Sequence, residues 1–256
     1  MLKDKILFRY RPLLTETDVQ RAVDILENYR LYSVPINKLN DPLEGLSVQP
    51  NFNPAVNNEY GIIDKADPIM RDLLNKYRII SLCNNCMLHP MWAHYGDNYN
   101  GICIGFWRES NIAKQAHKVE YAGDVITDEH IAKDTTLGEM VMQALCRKHS
   151  DWSYEQEWRL ILYGDENSYF KINIEDIACI VVGSSNINKE FLDFIINKFY
   201  GKIPILKVIT SVIDYRLKLV PIRYELQTEG MPMIAMGNMD ELVGYLYAKT
   251  RFKDYQ

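Results

Sequence analysis

The sequence predicts an α+β fold in which helices flank a split, mainly antiparallel sheet. Short runs of alternating apolar and polar residues indicate strands, because successive side chains on a strand point to opposite faces. Longer runs in which apolar residues recur every third or fourth position indicate helices. Both kinds of run follow one another along a chain of 256 residues that is 47% hydrophobic and 25% charged, which is typical of a globular protein.

The predicted domain organisation is a single α+β domain over residues 1–225. No internal repeat or low-complexity tract divides it. Residues 226–256 differ, since methionines at 231, 233, 236 and 239 precede a last helix at about 240–251. We expect this methionine-rich tail to pack on the domain or to bind a partner, because methionine side chains adapt to irregular apolar surfaces.

Composition argues against several classes of protein. A net charge of −5 does not fit general binding to phosphate backbones, which requires a strongly basic surface. No apolar run approaches the roughly eighteen residues of a membrane span, and the charges near the N-terminus do not fit a secretion signal. The five scattered cysteines are typical of reduced core thiols. The sequence therefore predicts a cytoplasmic protein with no membrane partner.

The N-terminal elements are a strand, a helix and a second strand. Ile6–Arg11 alternates between apolar and other residues and ends at Pro12, as a strand would. Thr15 or Thr17 can cap the helix that follows, because a threonine hydroxyl accepts a hydrogen bond from a free amide of the first turn. Residues 30–34 predict the second strand, which leads into a turn at the sequence NDP.

The remaining elements follow from the same two patterns. Residues 47–66 are rich in Asn and Pro and show no sustained period, which predicts a long loop. Helices are predicted from Pro68 and at 90–95, 137–148 and 188–200. Strands are predicted at 78–83, 101–106, 170–174, 177–182, 205–211 and 215–224.

The segment 150–163, SDWSYEQEWRLILY, is predicted to be a central strand with an acidic face. Alternation places Glu155, Glu157 and Arg159 on one side and the apolar residues on the other. Two carboxylates at this spacing, beside aromatic rings and an arginine, predict a partly desolvated pair suited to catalysis. The alternative is that both glutamates are solvated on the outer face of the strand.

The corner around Cys83 and Cys86 allows two interpretations. With His89 and His94, these cysteines have spacings that could hold zinc. A single CxxC with two loosely spaced histidines is a weak signal, and the alternative is a tight corner with buried thiols. We predict that no zinc is bound.

Four motifs together resemble an uncharacterised bacterial domain family. That family is recognised by Lys/Arg-Tyr-Arg, Asn-Asp-Pro-Phe-Glu, Met-Trp-x-His-Tyr leading to Gly-x-Cys-x-Gly-Phe, and Trp-x-Tyr-Glu-x-Glu-Trp/Tyr-Arg. The corresponding stretches here are FRYR at 8–11, NDPLEG at 40–45, MWAHYGDNYNGICIGF at 91–106 and WSYEQEWRLIL at 152–162. The resemblance spans about 6–209, and it departs from the family at Leu43, where Phe is usual.

A second, looser resemblance is to the ADP-ribosyltransferase superfamily. Its members carry an Arg or His on the first strand, a Ser or Tyr on the second, and a Glu, often within Glu-x-Glu, on a later strand. The matching positions are Arg9 or Arg11, Tyr32 with Ser33, and Glu155 with Glu157. The resemblance implies an ADP-ribosyltransferase-like fold and the use of NAD as a substrate.

The resemblance also implies roles for individual residues. Glu157 would stabilise the positive charge that develops on the ribose as nicotinamide leaves, and Glu155 would orient or deprotonate the acceptor. Ser33 would hold the Glu157 carboxylate, and Tyr32 would stack on nicotinamide. The residues implied to bind NAD are Arg9, Arg11, Tyr32, Ser33, Asn40, Asp41, Trp92 and Tyr95.

The function implied is mono-ADP-ribosyl transfer by a bacterial toxin or phage-defence effector. Its acceptor would be a macromolecule, either RNA, DNA or protein, and an antitoxin could neutralise it. One alternative is a nucleic-acid-processing or metal-dependent hydrolase that uses Asp41, Glu44, His89 and His94 with the glutamate pair. Another is a non-catalytic interaction module that presents the NDP turn and the aromatic corner at 92–99.

Overall fold

The structure, a computed structural model, describes residues 5–49, 68–124, 126–127, 134–164, 168–185, 187–222 and 235–251. It confirms the α+β class, with a mixed and mostly antiparallel arrangement of strands. Contacts group the chain into two compact units, described separately below. The first unit comprises residues 1–30, 82–115 and 171–256, and the second unit comprises residues 31–81 and 116–170.

The strands and helices are numbered in chain order. The strands are β1 Ile6–Arg11, β2 Arg30–Tyr32, β3 Val34–Pro35, β4 Val48–Gln49, β5 Tyr77–Cys83, β6 Ile102–Trp107, β7 His117–Lys118, β8 Glu120–Ala122, β9 Ile126–Thr127, β10 Arg147–His149, β11 Glu157–Tyr163, β12 Tyr169–Lys171, β13 Ile177–Val182, β14 Ile205–Thr210 and β15 Leu217–Pro221. The helices are α1 Glu16–Asn28, α2 Pro68–Leu74, α3 His89–Tyr95, α4 Asn111–Lys114, α5 Leu137–Leu145, α6 Lys189–Phe199 and α7 Met239–Arg251.

The first unit is built on the strand order β15-β14-β13-β6-β1. Strands β13 and β14 run parallel, whereas the other neighbouring pairs in this order are antiparallel. All six residues of β13 are buried, in keeping with a central strand covered on both faces. The apolar sequence IACIVV therefore marks the middle of this sheet.

Helix α1 begins after Thr15, one of the two caps that the sequence predicts. The Thr15 hydroxyl accepts a hydrogen bond from the Asp18 amide, and the Asp18 carboxylate accepts one from the Thr15 amide. This reciprocal capping satisfies two amides of the first turn and selects Thr15 over Thr17 as the N-cap. Ala22, Ile25 and Leu26 form the buried face of the helix.

The loop after α3 is tightly constrained. Asp97, Asn98 and Tyr99 all have positive φ angles, of 50°, 46° and 67°. The chain then passes so close to Gly183 that a Cβ atom there would overlap the Tyr99 carbonyl oxygen. The Gly183 amide donates to the carbonyl of Gly101 at 2.9 Å, which fixes the loop against the end of β13.

Gly183→Ala is expected to lower the free energy of unfolding by about 3 kcal/mol, because the loop backbone must move to admit one methyl group. Urea denaturation of the two proteins measures this. Gly244→Ala on α7 is the matched control, since open space surrounds that position and alanine favours a helix. Equal effects of the two substitutions would contradict the close approach at Gly183.

The second unit contains β5 up to Ser81, between β3 and β11, and β7 pairs with the other edge of β11. Shorter pairs join β8 to β10 and β4 to β9, both parallel. Its apolar core consists of Ile36, Val48, Met70, Leu74, Ile79, Val141, Ala144 and Leu145. Helix α5 contributes the last three of these residues and begins at a capping box between Thr136 and Glu139.

Several predicted boundaries are wrong. The segment 150–163 is not one strand, because Ser150–Glu155 forms a 3-10 helix and β11 begins at Glu157. The strand predicted at 30–34 is divided between β2 and β3 at Ser33. Within the predicted loop 47–66, Val48–Gln49 forms β4, and the rest of that loop lies outside the described residues.

The described part of the C-terminal tail packs within the first unit. Met236 forms a bridge with Leu219, and both side chains are buried. Leu242, Val243 and Leu246 form the buried face of α7, and the Tyr247 ring lies 5.1 Å from that of Trp107. Met231 and Met233 lie outside the described residues, and the predicted division at residue 225 stays a prediction.

Candidate functional site

The two glutamates of the predicted catalytic pair lie on either side of a break in the backbone. Glu155 ends the 3-10 helix, Glu157 begins β11, and Gln156 between them has a left-handed conformation with φ of 48°. Both carboxylates nevertheless approach one side chain, that of Lys148 on β10. The pair is therefore held together by a third residue and not by strand alternation.

Lys148 is the centre of these contacts. Its Nζ lies 2.7 Å from Oε2 of Glu155 and 3.8 Å from Oε2 of Glu157. The same atom lies 3.5 Å from Oδ1 of Asn40 and 4.5 Å from the centre of the Trp152 ring. Only 2% of the lysine side chain is exposed, so these contacts replace the hydration of the ammonium group.

Arg159 on β11 holds the other side of the pair. Its Nη1 donates to Oε1 of Glu44 at 2.5 Å and to the Leu145 carbonyl at 2.6 Å. Its Nη2 donates to Oε2 of Glu157 at 2.9 Å. The guanidinium is fully buried, so these charge-assisted hydrogen bonds are the ones that offset its desolvation.

These residues form what we call the charge network: Asn40, Glu44, Lys148, Glu155, Glu157 and Arg159. Among them are three carboxylates and two cations, which leaves one excess negative charge when all are ionised. Excess charge of one sign is costly in a buried site, because there is little water to screen it. The network is therefore sensitive to any substitution that increases its excess charge.

The carboxylates of the network differ in their tendency to ionise. Burial raises the pKa of Glu44, and the nearby Arg159 guanidinium offsets only part of that effect. Burial also acts to raise the pKa of Glu157, but Arg159, Lys148 and a hydrogen bond with Ser81 outweigh it and lower the pKa. Glu157 is therefore held as a carboxylate anion.

The backbone at Glu157 is fixed as well. The Glu157 amide donates to the hydroxyl oxygen of Tyr121 at 2.7 Å, and its carbonyl accepts from the Val119 amide at 3.0 Å. Burial raises the pKa of Tyr121 well above its usual range, so this hydroxyl stays protonated. Glu157 is thus held at its backbone and at its carboxylate.

The alternative of two solvated glutamates is wrong. Glu155 is 4% exposed and Glu157 is 5% exposed. The network does meet solvent at Asn40, which is exposed and whose Nδ2 donates to Oε1 of Glu155 at 3.4 Å. Asn40 is therefore the member of the network most accessible to an approaching molecule, and it contacts Glu155.

The NDPLEG motif supplies one side of the network. Asp41 is buried, and its Oδ1 accepts from the Leu43 amide at 2.9 Å, which closes the turn. That turn separates Asn40, which contacts Lys148 and Glu155, from Glu44, which contacts Arg159. Asp41 thus shapes the turn whose ends join the network.

Tyr32 and Ser33 lie in the second unit in a different group of contacts. The Ser33 hydroxyl accepts from Nε of Arg78 at 3.0 Å, and Nη2 of Arg78 donates to the Ser33 carbonyl at 2.7 Å. The same nitrogen donates to the Tyr32 hydroxyl at 3.1 Å. The Glu157 carboxylate accepts a hydrogen bond from Ser81, and the predicted contact of Ser33 with Glu157 stays a prediction.

The other residues implied to bind NAD belong to the first unit. Arg9 and Arg11 are half-buried on β1, and Trp92 and Tyr95 lie on α3. Trp92 is fully buried, and its Nε1 donates to the Cys86 carbonyl at 2.8 Å. Its described contacts are those of a core residue. The predicted contact of the two arginines with the dinucleotide stays a prediction.

The cysteine corner has the contacts of a tight turn. The Cys83 thiol lies 3.1 Å from the Asn85 carbonyl, and burial raises the pKa of the Cys86 thiol. The His89 ring contacts the Tyr99 hydroxyl at 2.7 Å and the Tyr215 carbonyl at 2.9 Å. Within the described ranges, no group of three or more His, Cys, Asp or Glu residues is placed to hold a metal ion.

Comparison with known proteins adds a family model. The model of a family described as a protein of unknown function (DUF2971) matches residues 91–160. The matched stretch contains the MWAHYGDNYNGICIGF motif and most of WSYEQEWRLIL, including both glutamates of the pair. No curated protein and no solved structure matches the chain. None of the helices in the described ranges is long and apolar enough to cross a membrane.

Proposed function

We propose that the chain is an NAD-dependent mono-ADP-ribosyltransferase whose catalytic carboxylates are Glu157 and Glu155. The observation that supports this most directly is the state of Glu157, a carboxylate held ionised by Arg159, Lys148 and Ser81. Loss of nicotinamide from NAD creates positive charge on the ribose, and a fixed anion stabilises that charge without reorganising. The network supplies such an anion.

Glu155 is suited to a different step. Its Oε1 accepts from the exposed Asn40 amide, and its Oε2 accepts from Lys148. A carboxylate in contact with the exposed Asn40 can orient an incoming hydroxyl, amine or base and take its proton. We assign Glu155 to the acceptor and Glu157 to the ribose.

We further propose that the acceptor is a macromolecule, either nucleic acid or protein, and that the chain acts as a toxin or phage-defence effector in bacteria. This rests on the resemblance to the ADP-ribosyltransferase superfamily. An antitoxin that covers Asn40 would block the acceptor side of the network. The formal charge of −5 favours a local acceptor contact over general binding to nucleic acid.

A non-catalytic interaction module is the second candidate, and one observation favours it. Both glutamates are buried to at least 95% and ion-paired with cations of the same chain. In that case the charge network would have a structural role only. Substitution of a single glutamate would then not abolish the effect of the protein.

The experiment that separates the two candidates uses the purified chain and NAD labelled in the nicotinamide and in the phosphates. We expect nicotinamide release, and incorporation of labelled ADP-ribose into one of three added acceptors: RNA, single-stranded DNA or a bacterial protein extract. NAD should also raise the melting temperature in proportion to the logarithm of its concentration above Kd. If the protein releases no nicotinamide and gains no thermal stability at millimolar NAD, the transferase proposal is contradicted.

A further inference from the structure

We propose that Lys148 is the positioning residue that makes Glu155 and Glu157 work as one unit, an inference that rests on the proposed transferase. Its ammonium is the shared partner of the pair, at 2.7 Å from Glu155 and 3.8 Å from Glu157. Lys148 lies outside the four sequence motifs, so its contacts with the two glutamates are seen only in the structure.

Electrostatics explains why a shared cation is needed. Two carboxylates that approach within a few ångströms repel each other unless a positive charge lies between them or one of them takes up a proton. Burial strengthens this repulsion, because both glutamates are less than 6% exposed. Without Lys148, the pair would separate or one member would become neutral, and the two assigned roles would be lost together.

The surroundings of Lys148 fix the ammonium itself. The Trp152 ring lies at 4.5 Å on one side, and Oδ1 of Asn40 lies at 3.5 Å on another. The other charged and titratable groups that face Glu157 in the described residues include Arg159, held by Glu44, the Tyr121 hydroxyl at its amide, and the Cys146 thiol, whose pKa Glu157 helps to raise. Arg159 contacts Glu157 and Glu44, whereas Lys148 contacts both Glu155 and Glu157.

A change of Lys148 should therefore alter the titration of Glu157. Lys148 contributes to the lowered pKa of Glu157, so its removal should raise that pKa. The carboxylate form of Glu157 is needed for nicotinamide release, so the acidic limb of the pH profile should move to higher pH. A lysine that only supported the fold would change the melting temperature without moving this limb.

The experiment compares Lys148→Met, Lys148→Arg and, as an exposed lysine of the same unit, Lys76→Met. We expect Lys148→Met to lower kcat at least about tenfold and to shift the limb. Lys148→Arg keeps the charge and should restore the limb near its original pH, although kcat stays low because a planar guanidinium does not fit the same contacts. Lys76→Met should behave as the wild type.

A second measurement decides the inference whether or not the transferase is correct. NMR titration of glutamate carboxyl carbons, assigned with Glu157→Gln, follows Glu157 directly in the wild type and in Lys148→Met. If Lys148→Met does not fold, the double variant Lys148→Met/Glu155→Gln is compared with Glu155→Gln alone, because the double variant keeps the net charge of the wild-type network. An upward shift of the Glu157 titration when Lys148 is removed supports the inferred effect of Lys148 on Glu157, and an unchanged titration overturns it. Absence of nicotinamide release from the wild type would instead overturn the transferase.

Discussion

Arg159→Met is expected to lower the free energy of unfolding by about 3–5 kcal/mol, the range measured when one partner of a buried ion pair is removed. The substitution leaves two buried carboxylates, Glu44 and Glu157, without their guanidinium, and the Leu145 carbonyl loses a donor. It also raises the excess charge of the network from one negative charge to two. Methionine fills a similar volume, so lost packing explains little of the effect.

Urea denaturation at pH 7 measures this, with Arg147→Met as the matched control. Arg147 forms ion pairs with Glu120 and Asp124, whose side chains are 72% and 73% exposed, so its removal should cost at most about 1 kcal/mol. Arg159→Met combined with Glu44→Gln returns the network to one excess negative charge and should recover part of the loss. If Arg159→Met costs no more than Arg147→Met, the network is not buried as described.

Much of the fold could be predicted from local patterns. The bounds of β1 and β13 agree with the prediction, because each is a compact run with a clear alternation or a continuous apolar character. The Thr15 cap of α1 was equally accessible, since it depends on residues three positions apart. Such features are decided by near neighbours in the chain.

The 3-10 helix before β11 could not be predicted in this way. Its sequence, SDWSYE, alternates between polar and aromatic residues and so imitates a strand. In the structure, the His149 ring accepts from the Asp151 amide, and the Ser153 carbonyl accepts from the Gln156 amide. These local hydrogen bonds stabilise the 3-10 helix over a strand, and the alternation of residue types gives no information about them.

The candidate site was predictable only in part. Glu155 and Glu157 stand out because of their spacing, and the family motifs single out Asn40. Lys148, Ser81 and Tyr121 carry no such signal, because each meets the pair through contacts that depend on the folded sheet. Glu44 and Arg159, which form an ion pair, lie 115 positions apart in the sequence. A single sequence does not specify which of its charges will pair at that distance.

Glu157→Gln is expected to lower nicotinamide release by a factor of about a hundred or more, with the fold retained. Glutamine keeps the size of the side chain and an acceptor for Arg159, so the contact at 2.9 Å can persist in altered form. Removal of one carboxylate leaves two carboxylates and two cations in the network, which is electrically neutral. Stability should therefore change far less than in Arg159→Met, and the loss should fall on the transition state.

The measurement is a pair of assays, nicotinamide release and ADP-ribose incorporation, on proteins with matched melting curves. Glu155→Gln is the informative comparison, because it removes the same charge from the network but should impair incorporation more than release. Glu27→Gln, at an exposed position on α1, should leave both assays unchanged. Wild-type nicotinamide release by Glu157→Gln would contradict the assignment of this carboxylate, since a fixed anion at the ribose is the feature from which the transferase was inferred.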